Sequence, residues 1–136
     1  MPNAWMGFGW AQLLSGDPEG CITSIKNVQR LDPQGELVPL AWDNMAMAHW
    51  ETGRYEASLD AARRLVAARP DYVWGQLYLA LNAASLGHLD EARAAIAEAR
   101  RLKPGLSIAK IQRGFGVSRP EADTRRNAAL RQAGLE

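Results

Sequence analysis

The stretch TGRYEASLDAARRLVAARP, from Thr52 to Pro70, is echoed by LGHLDEARAAIAEARRLKP, from Leu86 to Pro104. Gly53 answers to Gly87 and Pro70 to Pro104, both at a separation of 34 residues. A period of that length constrains the fold more than any other feature here. It corresponds to one supersecondary unit too small to bury its own apolar face, so successive units must stack. Glycine marks the turn inside each unit and proline ends its last helix, because proline cannot continue the hydrogen-bond ladder.

Residue classes follow the same period. Counting Pro39 as position one places Trp42, Met45, Ala46, Gly53, Tyr55, Ser58 and Pro70 at fixed positions. Counting from Val73 gives Leu79, Ala80, Gly87, Leu89, Ala92, Ile96, Ala99 and Pro104. An earlier copy begins at Pro2, with Trp5, Phe8, Gly9, Gly16, Cys21, Ile25, Val28 and Pro33. Large and small apolar residues alternate where two helices meet: small ones permit close approach and large ones fill the space beside them. The pattern predicts helices near 4–15, 18–31, 37–52, 55–69, 72–86 and 89–103.

This spacing, with those classes, resembles the tetratricopeptide repeat (TPR). The resemblance implies an all-α, right-handed solenoid of helical hairpins: repeats at 2–35, 39–72 and 73–106, with C-terminal capping helices over 107–136. Within the cap, Ile108, Ile111 and Phe115 share one face of a short helix. Ser118 and Glu121 read as a capping box for a second, which Gly134 stops. The ending RLKPGLSIAKIQRGF followed by LRQAGLE is similar to that of TPR regions in bacterial class III nucleotidyl cyclases and related winged-helix regulators. No catalytic residue carries over, since the chain holds neither a cyclase nor a winged-helix domain.

Composition narrows the function classes. The net charge of +1 gives no global attraction to nucleic acid or acidic membrane. The stretch from Gly105 on is mildly basic, through Lys110, Arg113, Arg119, Arg125, Arg126 and Arg131. These are interspersed with acidic residues and read as a solvated face, so no nucleic-acid partner is expected. No apolar run reaches the ~20 residues of a membrane span, and MPNAWMGFGW lacks the basic start of a signal peptide. The single cysteine, Cys21, cannot form an internal disulfide, and a reducing cytoplasm is the expected compartment. Cys21 occupies a small-residue position and reads as packing, as does His49. His49 and His88 lack ligand-spaced partners, so no metal, cofactor or catalytic site is expected. Asp60 with Arg64, and Glu121 with Arg125, read as exposed i,i+4 pairs.

The TPR resemblance implies that the first helix of each repeat lines a concave groove. Its positions here include Trp10, then Leu40, Asn44, Met47 and Trp50, then Trp74, Tyr78 and Leu81. Such an aromatic, methionine-bearing face exceeds the apolar area a monomer usually leaves open. It calls for a cover: a partner segment, another subunit or the chain's own tail. Chaperone-tail binders of this family use a clamp whose places are Met6, Trp10, Asn44, Trp74 and Tyr78 here. Only Asn44 fits, which implies a more apolar peptide or helix as ligand. The expected function is therefore a non-catalytic protein-interaction module, with a regulatory or oligomerising domain of a larger signalling protein as the alternative. The apolar Trp5, Met6 and Phe8 at the first repeat predict a homodimer through that end.

If the register is right, Ala92→Leu overpacks the third hairpin and costs about 1–3 kcal/mol. An unchanged denaturation midpoint in urea would refute the register.

Overall fold

The computed structural model describes residues 9–12, 15–31, 35, 38–115 and 120–135. Helix α1 is described over 9–12, followed by α2 (Pro18–Leu31), α3 (Val38–Glu51) and α4 (Tyr55–Ala68). Then come α5 (Val73–Ser85), α6 (Leu89–Leu102), α7 (Ile108–Phe115) and α8 (Pro120–Gln132). From α2 to α6 the helices begin and end within a residue or so of the positions expected from the repeat. Among the described residues there is no strand. Trp5, Met6 and Phe8, with Ser118 of the proposed capping box, lie outside the described residues, as does the Phe115 side chain.

The turns explain the periodicity. Helix α3 ends in a Schellman motif. The Arg54 N–H donates to the His49 carbonyl at 2.9 Å and the Gly53 N–H to the Trp50 carbonyl at 3.0 Å. Helix α5 repeats it: His88 to Ala83 at 2.8 Å and Gly87 to Ala84 at 3.1 Å. The motif needs a left-handed residue, and Gly53 and Gly87 supply it at φ +75° and +82°. The second helices end differently. The N–H groups of Arg69 and Lys103 bond back to Leu65 and Ala99, and Pro70 and Pro104 follow at once.

Helices α3 and α4 form one hairpin and α5 and α6 the next, while α2 on α3 and α4 on α5 stack successive units. The small-residue positions are where the helices close up. Cys21, Ala46, Ser58, Ala80 and Ala92 are all fully buried. A methyl added to Gly9 would stand 3.1 Å from the Ile25 side chain, and one on Gly75 would stand 3.2 Å from Val66. Both distances are tighter than ordinary packing. Ile25, Leu59, Leu65, Leu77, Leu81 and Ile96 fill the core beside them.

A buried polar relay joins the second and third hairpins. The Ser58 hydroxyl donates to the Ala46 carbonyl at 2.7 Å, and the Asn82 amide donates to the Ser58 oxygen at 2.6 Å. On the outer surface Arg63 grips Glu91 across the same boundary at 2.8 Å. The expected Asp60–Arg64 pair is present at 3.0 Å, and the Arg64 guanidinium also lies 4.9 Å from the Trp42 ring centre. Cys21 packs in the core, where burial above all, then Glu51 and Asp17, pushes its thiol up to about 11. So raised, it is an inert packing group rather than a nucleophile.

His49 carries a pH dependence. Its Nδ1 is buried without a hydrogen-bond partner, and burial lowers its pKa from 6.5. Arg54 and Lys26 lower it further, while Glu19 opposes them. The unfolded chain therefore binds this proton first, so the stability is fully present above about pH 6.5 and is lost as pH falls through the lower folded value. His49→Phe should flatten this loss. Urea midpoints for parent and variant at about pH 7.5 and about pH 5 measure it, and equal slopes in the two proteins would refute the assignment.

Candidate interaction groove

Helix α3 repeats every turn or two along one face: Leu40, Asp43, Met47 and Trp50 fall at i, i+3, i+7 and i+10. The equivalents one period later on α5 are Trp74, Leu77, Leu81 and Ala84; Tyr78 answers to Asn44, one residue beyond Asp43, and α1 supplies Trp10. On α5 this face is not free: Leu77 and Leu81 also belong to the repeat core.

The groove residues do not share one environment. Trp10 and Leu40 are each 43% exposed. Met47 and Trp74 are half-buried. Asn44, Trp50, Tyr78 and Leu81 are buried within the chain, with Trp50 at 5% and Tyr78 at 3% exposure. Trp74 and Tyr78 stand with ring centres 6.5 Å apart, and Trp50 leans on Tyr55 at 5.0 Å.

Between the two repeats sits a partly buried carboxylate. The Tyr72 hydroxyl donates to Asp43 at 2.8 Å, and Tyr78 also bonds to it. Burial raises the Asp43 pKa, while both tyrosine hydrogen bonds pull it back down. The same burial, with the Asp43 charge beside it, pushes the Tyr72 phenol up and the Tyr78 phenol well above its ordinary value. The tyrosines therefore remain neutral donors, and Asp43 gives the face a negative centre.

The chain's own tail lies over part of the buried half, at Trp50 and Tyr78. Helix α8 packs along α5 and touches α7. Its inward stripe is Asp123, Arg126, Ala129, Leu130 and Ala133, all buried, and Leu135 follows. Arg126 pairs with Asp123 at 3.0 Å inside this contact. Burial lowers its pKa, which Asp123 and the neighbouring Tyr78 counteract; a guanidinium remains charged under such a shift. Arg125 reaches farther, to the turn between α3 and α4 in the second repeat. Its guanidinium lies 5.2 Å from the Trp50 ring centre and donates to the Tyr55 hydroxyl at 2.9 Å. At the other end Arg100 of α6 donates to the Gly134 carbonyl at 2.7 Å.

Two sequence expectations change here. Arg125, read as an exposed partner of Glu121, is a groove contact. Arg125 and Arg126, read as part of a solvated basic face, are turned onto the repeats. The sequence alone gives Tyr55 only a fixed place in the repeat and neither it nor Asp43 a binding role, and it does not expose the inward stripe of α8. An i, i+3, i+6, i+7, i+10 spacing was present there. It opens with two charged residues, so hydropathy conceals it.

Among the described residues no group of histidine, cysteine or carboxylate side chains is arranged to hold a metal ion, and no helix is long and apolar enough to cross a membrane.

Residues 40–72 match the tetratricopeptide repeat family. None of the curated proteins matches the chain. Among solved structures, the crystal structure of MamA is similar at TM-score 0.73 and 22% identity, covering 97% of this chain and 75% of that one. A thermophilic TPR protein in Thermus thermophilus is similar at TM-score 0.69 and 22% identity, covering 100% and 75%. The matched repeat and these two likenesses together give this all-helical chain the fold of tetratricopeptide-repeat proteins.

Proposed function

We propose that this chain is a non-catalytic protein-interaction module whose concave face receives an apolar peptide or helix from a partner. Trp10, Asn44, Met47, Trp50, Trp74, Tyr78 and Leu81 are its lining. The observation that carries the reading is the seating of α8 against α5, with Arg125 at Trp50 and Tyr55. A face that accommodates one amphipathic helix has the shape and chemistry for another. The repeats run over 2–35, 39–72 and 73–106 in this reading, and the family match at 40–72 falls within the second. The setting in this reading is cytoplasmic, as the single cysteine implies.

A second reading draws on the same observation. With its own helix in the groove, the chain would serve as a regulatory or oligomerising domain of a larger signalling protein, as the cyclase-type ending LRQAGLE implies. Self-association through the first repeat belongs to this reading. Sedimentation at about ten times the concentration of a monomeric control tests it, and a strictly monomeric chain would count against it.

The open half of the groove provides the test of the first reading. Trp10 and Leu40 are exposed, so their truncation should leave helicity and stability within about 0.5 kcal/mol of the parent. Trp50 is a poorer probe, because removing a buried tryptophan costs about 3–5 kcal/mol by itself. Peptides selected on the parent chain from a displayed library should bind the Trp10→Ala, Leu40→Ala variant about tenfold more weakly, near the 1.4 kcal/mol of a modest hot spot. Equal affinities would remove the groove as the binding face.

A further inference from the structure

The occupant already seated in the groove describes the partner. Helix α8 approaches the repeats in a way that differs from the helices of the solenoid. Its inward stripe is short: two alanines, Ala129 and Ala133, with Leu130 and Leu135 as its large apolar anchors. It opens with the buried Asp123–Arg126 pair, whose desolvation offsets much of its attraction. Helices α3 to α5, by contrast, each pack on the helices before and after them. The α8 contact is therefore the least costly of these interfaces to open.

The repeat side is built for a cation. The Trp50 ring presents its electron-rich face, and the Tyr55 hydroxyl accepts a hydrogen bond beside it. Asp43 and Glu51 lie on the same helix within two turns. Only an arginine can stack on the indole and donate to the phenol from one planar group; a lysine ammonium cannot do both. The contact spans two repeats, since Arg125 meets the second while the Ala129–Leu130 stripe lies on α5 of the third.

We infer that α8 is an internal stand-in for the partner: the groove recognises a protein helix bearing an arginine one turn or so ahead of an alanine–leucine stripe, and that helix competes with α8 for the Trp50–Tyr55–Tyr78 face. This rests on the groove reading above and adds the chemistry of the ligand and the element it displaces.

The test uses the full chain and a synthetic peptide of residues 120–135. Leu130→Asp places a carboxylate on a fully buried anchor of α8 and frees the face. The peptide should bind the Leu130→Asp chain about tenfold more tightly than the parent chain. A peptide carrying Arg125→Ala should lose about fivefold on the same variant, and one carrying Arg125→Lys should lose nearly as much. Equal binding to parent and variant, or no loss with Arg125→Ala, overturns the inference. Hydrogen exchange on the parent chain decides the matter without any substitution. Amides of α8 should exchange about tenfold faster than those of α5, because displacement requires α8 to open alone. Exchange of α8 and α5 as one unit overturns it. Failure here with weakened peptide binding by the Trp10→Ala, Leu40→Ala variant would discard displacement and leave the groove reading standing.

Discussion

Close approach of helices at small residues is the constraint on which the rest of this structure depends. Ala46, Ser58, Ala80 and Ala92 are fully buried where paired helices meet, and a methyl on Gly9 or Gly75 would crowd the neighbouring side chains at 3.1 and 3.2 Å. Tight pairing on one side of α3 and α5 commits their large residues, such as Leu59, Leu65 and Ile96 from the facing helices, to a continuous core. Leu40 and Trp74, on the first helices, lie at the margin of that packing, exposed and half-buried. Ser58 shows the economy of the arrangement: the residue small enough for the contact also ties Ala46 and Asn82 together through its hydroxyl.

The groove face combines bulk with charge. Trp50, Trp74 and Tyr78 supply area, and Asp43, held by Tyr72 and Tyr78, supplies a negative centre. Water would solvate that carboxylate well but the rings poorly. A helix with apolar residues and an arginine satisfies both. Helix α8 meets this description, and its ion pair illustrates the compromise involved. Arg126 donates to Asp123 at 3.0 Å inside the contact, yet the burial of the pair offsets much of its attraction.

The polar contacts differ in weight. Exposed pairs such as Arg64–Asp60 contribute tenths of a kcal/mol. Arg63–Glu91, bidentate and bridging two repeats, constrains their relative placement more than it stabilises them. Arg125 is different in kind. Its partners are 70 residues away in the chain at Tyr55, and they are aromatic, so its position reports the tail's placement on the solenoid.

By itself the sequence determined the architecture. The 34-residue offset, Gly53 and Gly87 in the turns, Pro70 and Pro104 at the ends, and the small residues between them are local signals. Each acts through backbone conformation or nearest-neighbour packing, so it survives in a linear reading. The aromatic face was legible for the same reason, since helical spacing alone puts Trp10, Met47, Trp50, Trp74 and Tyr78 on first helices. Which half of that face is open was decided only in three dimensions. Trp10 stays exposed while Trp50 and Tyr78 are covered, because α8 turns back on α5. That choice depends on a long-range match between two surfaces. One of them begins with an aspartate and an arginine, which hydropathy assigns to water until a partner is present to neutralise them.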